Sequence, residues 1–281
     1  MSAFLIEDGA SEDVTTQSCG GSKVVRASLV ARRAGTCAAL GLVDEFAARD
    51  QRVCARRVHG IEDGRTVTSG SVLAELSGPL AAILPIERTL LNLIGIAMGC
   101  ATLTAEFVDA VSGTRAHICD TRKTIPGLRW LQKYSVECGG GLCHRWGLHD
   151  ALLVKDNHVV GLDPASFAVR VSSAAHRARQ ARPTLAFTCA ECDTLAQFDA
   201  LLALEPGVLD IALLDNFSLD QLREAVARRD RASSTLALEA SGGITLASVR
   251  EIARCGVERI SVGAITHSAP WHDVGLDIEP A

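Results

Sequence analysis

Short apolar runs and longer amphipathic segments alternate through the second half of the chain. Runs of strand length occur at residues 117–122, 151–157, 185–191, 211–216, 236–241 and 259–264. Between most of these runs, apolar residues recur with a helical period, at residues 167–181, 194–205, 219–230 and 246–256. Strands that alternate with helices in this way form parallel βα units, so the pattern predicts an α/β fold.

Polar residues follow the predicted strands where each strand ends. They are Asp120-Thr121-Arg122-Lys123, Lys155-Asp156, Glu191, Asp215-Asn216, Glu239-Ala240-Ser241 and Gly263. Polar groups at the carboxyl ends of successive parallel strands are typical of the active face of an α/β barrel. A doubly wound open sheet would instead concentrate them at one switch point. We therefore favour the barrel.

The first part of the chain has a different pattern. Up to about residue 84, β-rich segments at residues 24–43 and 52–76 alternate with Gly and Asp turns, which predicts a small sheet domain. A helical pattern follows at residues 83–113, and Gly95 and Gly99 are expected to break it. We predict a sheet domain with linking helices at 1–105, a barrel at 106–268, and a tail at 269–281 that returns to the sheet domain.

Composition and charge narrow the class of protein. The chain has 281 residues, 48% of them hydrophobic and 22% charged, as in ordinary globular proteins. A net charge of −5 argues against a general nucleic-acid binder. No apolar run approaches the roughly 18 residues of a membrane span, and the N-terminus is acidic, unlike a signal peptide. We expect a cytoplasmic protein that binds neither nucleic acid nor membranes.

The ten cysteines are scattered, and most lie in apolar runs, as Cys54, Cys100 and Cys119 do. In a cytosolic protein they are expected to be small buried hydrophobic residues. Cys189 and Cys192 have C-x-x-C spacing, but a structural zinc site needs further Cys or His ligands, and none follows. A zinc site is therefore not expected.

Cationic residues are concentrated at residues 115–158. The chain has four lysines, and two of them, Lys123 and Lys155, lie in the clusters DTRK and KDNH, each at the end of a strand-like run. Most Arg and Lys residues are simply solvated surface charge. These clusters follow predicted strands rather than polar helix faces, so they indicate a site that binds several negative charges.

Two glycine-rich turns follow the last predicted strands. Ser241-Gly242-Gly243 lies between a strand and a helix that opens near Thr245, and Gly263 follows the next strand. Barrels bind phosphate at such turns, where the loop leads into a helix N-terminus. One such turn is a weak signal, whereas two after consecutive late strands favour a phosphate site.

Ordered motifs over nearly the whole chain resemble the quinolinate phosphoribosyltransferase family. They lie at residues 6–16, 87–104, 120–148, 152–158, 213–216, 238–243 and 260–270. The resemblance implies an incomplete α/β barrel of the type II phosphoribosyltransferase kind with an N-terminal open-faced α/β sandwich domain. It also implies homodimers in which one subunit's sheet domain caps the partner's barrel, so that active sites are shared, with hexamers as a further possibility.

The reaction implied by the resemblance joins quinolinate to 5-phosphoribosyl-1-pyrophosphate with Mg²⁺. It releases pyrophosphate and CO₂ and gives nicotinate mononucleotide. The implied catalytic residues are Lys123, Lys155, Glu191 and Asp215, with Glu191 and Asp215 also near the metal. The implied substrate-binding residues are these four together with Arg88, Thr121, Arg122, His144, Arg145, Ser241, Gly242, Gly263 and His267.

Among these residues the resemblance implies distinct roles. Arg88 would reach into the neighbouring subunit's site, and Arg122, His144 and Arg145 would complete a dicarboxylate pocket. Lys123 and Lys155 would contact substrate and pyrophosphate. Ser241, Gly242, Gly263 and His267 would bind the 5′-phosphate.

Three positions depart from the family pattern. Cys189 stands where the family usually has Glu, Cys143 where Asn is common, and His117 where Lys is usual. We interpret these as neutral changes near the site. Two alternative functions stay open: a paralogue associated with molybdenum transport, against which the intact KDNH run at residues 155–158 argues, and a catalytically silent nucleotide-binding regulator.

Overall fold

The computed structural model describes residues 2–19 and 23–280, and the chain forms two compact units. Unit 1 comprises Met1–Ala105, Tyr134–Gly140 and Ala269–Ala281, and unit 2 comprises Glu106–Lys133 and Gly141–Ser268. Residues 1, 20–22 and 281, which the predicted domain ranges include, lie outside the described residues.

The strands, numbered in chain order, are β1 Val24–Ala31, β2 Gly35–Thr36, β3 Cys54–Arg57, β4 Thr66–Val67, β5 Val72–Pro79, β6 His117–Cys119, β7 Leu152–Val154, β8 Thr188–Cys192, β9 Ile211–Asp215, β10 Ala237–Ser241, β11 Arg259–Ser261 and β12 Val274–Pro280. The helices are α1 Ser2–Glu7, α2 Val14–Cys19, α3 Gly41–Ala47, α4 Leu80–Ala110, α5 Arg129–Cys138, α6 Pro164–Ala181, α7 Leu195–Leu202, α8 Leu219–Arg231, α9 Leu246–Arg254 and α10 Ala264–His267. Short 3₁₀ helices occupy Ala10–Glu12 and Asp156–His158.

Unit 1 is built on an antiparallel sheet with the strand order β12-β1-β5-β3. Along β1, Val25, Ala27 and Leu29 are buried, while Arg26 between them is exposed. This alternation gives the sheet one apolar face, which packs in the core, and one polar face. The tail strand β12 pairs with β1, with Ala27 opposite Ile278.

Two predictions for unit 1 need correction. Residues 41–43, at the end of the first segment predicted as β-rich, begin helix α3; the N–H of Leu40, just before it, donates to Asp63 Oδ1 at 3.0 Å, a contact distant in sequence. Gly95 and Gly99 do not break α4, which runs unbroken for 31 residues. A Cβ at Gly99 would lie 3.2 Å from the carbonyl carbon of Pro270, so the glycine serves close backbone packing.

Helix α4 also corrects the expectation that no segment approaches a membrane span. By length and composition it could cross a membrane, since an 18-residue window reaches a mean hydropathy of 1.6. Uncharged polar residues interrupt the apolar run without lowering this mean much. Half of that window is buried within the protein, as in the core helix of a globular domain.

Unit 2 is an α/β structure around six parallel strands, which confirms the predicted fold class. The strand order is β6-β11-β10-β9-β8-β7, so β6 and β7 are the edges of the sheet among the described residues. Helices α6 to α9 connect successive strands, and side-chain caps fix several of their starts. Thr194 accepts from the N–H of Gln197 at α7, and Ser218 accepts from that of Gln221 at α8. The caps end the loops at the carboxyl edge of the sheet.

Most of the cysteines are buried, but one of the predicted examples is not. Cys100 and Cys119 are buried as expected, whereas Cys54 is exposed. It is the first residue of β3, one of the two edge strands of the unit 1 sheet, so it has a neighbouring strand on one side only. An apolar run at a sheet edge does not guarantee burial.

A buried histidine in unit 1 makes its stability depend on pH. His272 is fully buried, and Arg33 Nε donates to its Nδ1 at 3.3 Å. Burial and the positive charge of Arg33 lower the pKa of His272, so the folded state holds the neutral ring. The unfolded chain binds a proton more readily below about pH 6.5, so stability falls as the pH decreases through that value.

When the pH falls from 7 to 5, we therefore expect the free energy of unfolding to decrease less in His272→Gln than in the wild type. The wild type should lose up to about 1.4 kcal/mol more per pH unit than the variant in this range. Urea unfolding at both pH values measures the difference. Because the variant also changes packing, the slope with pH is compared rather than the absolute stability. Equal slopes would rule out His272 as the responsible group.

Candidate active site

A cavity of about 370 Å³ opens among the carboxyl ends of the strands in unit 2. It is lined by predicted site residues, namely Thr121, Arg122, Lys123, His144, Arg145, Lys155, Asp215 and Ser241. Four further lining residues were not among the predicted site residues: Asp120, Leu153, Leu213 and Ser261. The parallel sheet brings these groups together because each follows or ends a different strand.

Two arginines give one side of the cavity its positive charge. Arg145 is buried, and burial together with the nearby charge of Arg122 lowers its pKa. The Nε of Arg122 is also buried and finds no hydrogen-bond acceptor among the residues that the structure describes. Two neighbouring guanidinium groups of this kind are stabilised by an anion that accepts from both, and carboxylates match their geometry.

A fully buried ion pair lies behind the arginines of the cavity. Lys133 Nζ lies 2.6 Å from Asp120 Oδ1, and both side chains are 0% exposed. The same Asp120 oxygen accepts from the backbone N–H of His144 at 2.9 Å. Burial raises the pKa of Asp120, an effect that Lys133 opposes. Because a buried charge needs a partner, this pair fixes the segment that carries His144 and Arg145.

Three carboxylates form an acidic cluster, Glu191, Asp193 and Asp215, of which Asp215 lines the cavity whereas Glu191 and Asp193 are not among its lining residues. Glu191, at 6% exposure, forms an ion pair with Lys155 Nζ. Carboxylate oxygens of Glu191, Asp193 and Asp215 all lie within 4.8 Å of one another. Burial raises the pKa of Glu191, and the charge of Asp215 adds to this against the effect of Lys155. The prediction missed Asp193, although its position two residues beyond Glu191 is the signal for a shared face of the strand.

Of the two predicted phosphate loops, the one at Gly242-Gly243 has the backbone geometry that favours glycine, whereas Gly263 has ordinary helical dihedrals. Gly242 and Gly243 adopt φ values of +99° and +59° between β10 and α9. A Cβ at Gly242 would also lie 2.9 Å from the backbone nitrogen of Asn216. At the next strand, the Cβ position of Gly263 lies 3.1 Å from both His267 Nε2 and Lys123 Cδ. Ser241 lines the cavity, whereas Gly242, Gly263 and His267 are not among its lining residues.

The remaining predicted residue, Arg88, lies on α4 in unit 1, and its role stays a prediction. Among the departures from the family pattern, Cys189 is buried in a hydrophobic core cluster with Leu153, Ile211 and Leu213. Burial raises the pKa of its thiol well above the usual range, so it stays neutral.

The other two departures are Cys143 and His117. Cys143 Sγ lies 3.6 Å from Lys133 Nζ, next to the buried ion pair. His117 is exposed at the start of β6, at the opposite end of the strand from the cavity.

Comparisons with known proteins agree over nearly the whole chain. The family model described as "Quinolinate phosphoribosyl transferase, C-terminal domain" matches residues 100–277, and its N-terminal counterpart matches residues 13–98. The nicotinate-nucleotide pyrophosphorylase (carboxylating) of Mycobacterium leprae is 44% identical over 272 residues, covering 95% of this chain and 91% of the relative. A probable enzyme of the same name from Bacillus subtilis is 36% identical, covering 99% and 92%. The crystal structure of nicotinate-nucleotide pyrophosphorylase from Ehrlichia chaffeensis aligns with a TM-score of 0.87 at 35% identity, covering 99% and 97%.

Proposed function

The chain belongs to the quinolinate phosphoribosyl transferase family, and we propose on this basis the reaction that it catalyses. The enzyme transfers the phosphoribosyl group of 5-phosphoribosyl-1-pyrophosphate to quinolinate and decarboxylates the product. The products are nicotinate mononucleotide, pyrophosphate and CO₂, and the reaction supplies NAD biosynthesis. Beyond family membership, this assignment rests on one observation. The cavity in unit 2 is lined by Arg122, Lys123, His144, Arg145 and Lys155.

Quinolinate would bind through its two carboxylates on the cationic side. Arg122 and Arg145 offer planar forks that match carboxylates; Arg145 is buried and Arg122 is half-buried. His144 lies beside them in the lining of the cavity. A dicarboxylate neutralises charges that would otherwise repel each other in a desolvated site, which supports this assignment.

The phosphoribosyl group would lie between the lysines and the glycine loops. Lys123 and Lys155 act as point charges for the pyrophosphate, and the loops at Ser241–Gly242 and at Gly263 take the 5′-phosphate. As the bond from ribose C1 to pyrophosphate breaks, positive charge develops on the ribose ring. Glu191 and Asp215 would stabilise this charge electrostatically, and no covalent nucleophile is required.

Decarboxylation follows from the bond that has formed. Once the quinolinate nitrogen carries the ribose, it is a pyridinium, and its positive charge stabilises the electron pair that the departing CO₂ leaves on the adjacent ring carbon. A proton then replaces the carboxylate. The residues of this chain have to orient the ring and hold the remaining carboxylate, and Arg122 and Arg145 are suited to that task.

The acidic cluster of three carboxylates fits Mg²⁺. Glu191, Asp193 and Asp215 present carboxylate oxygens within 4.8 Å of one another, and Mg²⁺ prefers oxygen ligands. We assign these three residues as the group that would hold the ion directly or through water. When bound, Mg²⁺ supplies positive charge to the pyrophosphate.

The assembly and the cell compartment also belong to this proposal. We propose a homodimer, with further assembly into hexamers as the alternative, in which Arg88 of one subunit completes the site of the other. A cytoplasmic location suits an enzyme that uses phosphoribosyl pyrophosphate. The proposed sharing of sites rests on the family resemblance of the segment around Arg88.

The proposed reaction predicts that the enzyme uses quinolinate much better than nicotinate. The purified protein with phosphoribosyl pyrophosphate and Mg²⁺ should form nicotinate mononucleotide from quinolinate, while kcat/KM for nicotinate should be at least about 100-fold lower. The reason is that nicotinate lacks one carboxylate, so buried guanidinium groups would remain unpaired. Product analysis by chromatography measures both reactions.

The control omits phosphoribosyl pyrophosphate, which should abolish product and CO₂ release together. Comparable kcat/KM values for nicotinate and quinolinate would contradict the dicarboxylate assignment. Absence of product from quinolinate at any Mg²⁺ concentration would contradict the proposed function as a whole.

A further inference from the structure

A completely buried carboxylate lies behind the cationic side of the cavity. Glu239 is in the middle of β10 and is 0% exposed. It does not line the cavity, but Ser241, two residues later on the same face of the strand, does. A buried carboxylate is costly unless charged or polar groups pair with it, so its partners indicate why this position is acidic.

Glu239 has three such partners. Arg259 Nε donates to its Oε2 at 2.7 Å, and Ser261 Oγ donates to its Oε1. His144 Nε2 lies 3.1 Å from the same Oε1, a close electrostatic contact in which the ring N–H is not aligned with the oxygen. Burial alone would raise the pKa of Glu239, but His144, Arg259 and Ser261 together lower it, so the carboxylate stays ionised.

The ionised carboxylate decides which nitrogen of His144 carries a hydrogen. A carboxylate can only accept, and a ring lone pair at this distance would be repelled, so the nitrogen that faces it, Nε2, must be protonated. The backbone N–H of His144 is held by Asp120 at 2.9 Å, and its ring meets the ring of Phe187 edge-on at 5.0 Å between centroids. The imidazole is therefore fixed in both position and tautomer, and Nδ1 is the nitrogen left for a ligand.

We propose that Glu239 is a positioning residue for quinolinate, which it serves by holding His144. It keeps Nε2–H turned to the interior and supplies the negative charge that allows Nδ1 also to be protonated when a substrate carboxylate binds. His144 thereby donates to that carboxylate as a cation without leaving an uncompensated buried charge. This inference rests on the proposed function, because it concerns how the same cavity takes quinolinate.

A purely structural role is the competing explanation. Glu239 could exist only to neutralise Arg259, whose Nη2 is buried without an acceptor among the described residues. In that case, loss of the charge at Glu239 would destabilise the unit and affect both substrates alike. The two explanations therefore differ in which KM changes and in whether the effect passes through His144.

The kinetic test uses Glu239→Gln, which keeps the size of the side chain and removes its charge. We expect the KM for quinolinate to rise at least about tenfold, as for loss of one charged interaction. The KM for phosphoribosyl pyrophosphate should change less than about twofold. In a His144→Asn background, Glu239→Gln should have no further effect on the KM for quinolinate, because the residue through which it acts is already gone.

Two variants serve as controls. Glu239→Asp keeps the charge and should recover most of the quinolinate affinity that Glu239→Gln loses. Glu258→Gln removes a carboxylate that pairs with Arg229 at 2.8 Å at the opposite end of β11. It should lower the melting temperature while leaving both KM values at the wild-type level. Melting temperatures of all variants identify any that fail to fold.

A spectroscopic measurement on the wild type does not depend on any variant. Nitrogen-15 NMR of the histidine rings, with His144 assigned through His144→Asn, should show its Nε2–H tautomer. Glu239→Asp should retain this signature. A predominant Nδ1–H tautomer, equal increases of both KM values, or full additivity with His144→Asn would each overturn the proposal. Inactivity of the wild type with quinolinate would instead refute the proposed function, while the tautomer would still report the pairing of His144 and Glu239.

Discussion

Replacing Glu191 with Gln, or Asp215 with Asn, is expected to lower kcat by about 10² to 10³ while the affinity for quinolinate changes little. This is the usual cost of removing one preorganised group that stabilises a developing charge. The carboxylates act when the ribose ring becomes cationic, and quinolinate carries negative charge that they do not bind. Steady-state kinetics with each substrate varied in turn measure the effect.

The burial and charge of the acidic cluster make this effect large. Glu191 is 6% exposed, so water screens its charge only weakly. Burial and the nearby Asp215 raise its pKa, which shows that keeping this group ionised already costs free energy. Lys155 compensates that cost in the free enzyme. A pKa that burial and a neighbouring like charge shift in this way is typical of functional sites.

A matched control separates this effect from loss of a carboxylate in general. Asp199 on α7 pairs with Arg228 at 2.6 Å on the surface of the same unit. Asp199→Asn should cost at most about 1 kcal/mol of stability and leave kcat unchanged. If Glu191→Gln or Asp215→Asn instead raised the KM for either substrate without lowering kcat, the carboxylates would bind the substrate in its ground state. The assigned role would then be wrong.

The parallel sheet and its polar strand ends could be predicted because they follow from local patterns. Each strand is a short apolar run, and parallel strands necessarily bring their carboxyl ends to one edge. Lys123, Lys155 and Asp215 could therefore be expected near one another from the sequence, although they are far apart along the chain. The cavity in unit 2 is lined by all three.

The interior polar network could not be predicted in the same way. Lys133 lies on α5, and nothing in the helical pattern shows that its side chain is fully buried against Asp120. Glu239 reads as one more polar residue at a strand end, but its role depends on His144 and Arg259, which reach it from other segments. Such pairs are decided by packing in three dimensions, which periodicity does not contain.

Glycines and apolar runs show a similar limit. Gly95 and Gly99 signal a helix break when only local propensity is considered, yet the tail that packs against α4 needs their lack of side chains. The backbone N–H of His272 donates to the carbonyl of Gly95 at 3.0 Å, a contact between segments 177 positions apart. A tertiary contact of this kind overrides the local cost of glycine in a helix.

The second large effect concerns sharing of active sites between subunits. Arg88→Ala and Lys155→Ala are each expected to give a nearly inactive homodimer, because each removes a cation from every site. Arg88 lies on α4 in unit 1, whereas Lys155 follows β7 in unit 2 and pairs with Glu191. By family resemblance, Arg88 serves the partner's site and Lys155 serves its own.

Mixing the two inactive variants under conditions of subunit exchange should restore activity. In a mixed dimer, one site carries both lesions and the other carries none. Random pairing in a closed two-fold dimer makes about half of the dimers mixed, so about a quarter of the wild-type activity should return. Native mass spectrometry of the mixture quantifies the mixed dimers, and the activity is divided by that fraction.

A matched control mixes Lys155→Ala with Glu191→Gln, two residues that form an ion pair within one subunit. Both lesions then affect the site of the subunit that carries them, so every site in the mixture holds one lesion and no activity should return. If Arg88 also served its own subunit's site, its mixture with Lys155→Ala would behave like this control. Verified exchange without recovery of activity would therefore rule out the shared site, whereas recovery in the Arg88 mixture alone requires that Arg88 act across the dimer.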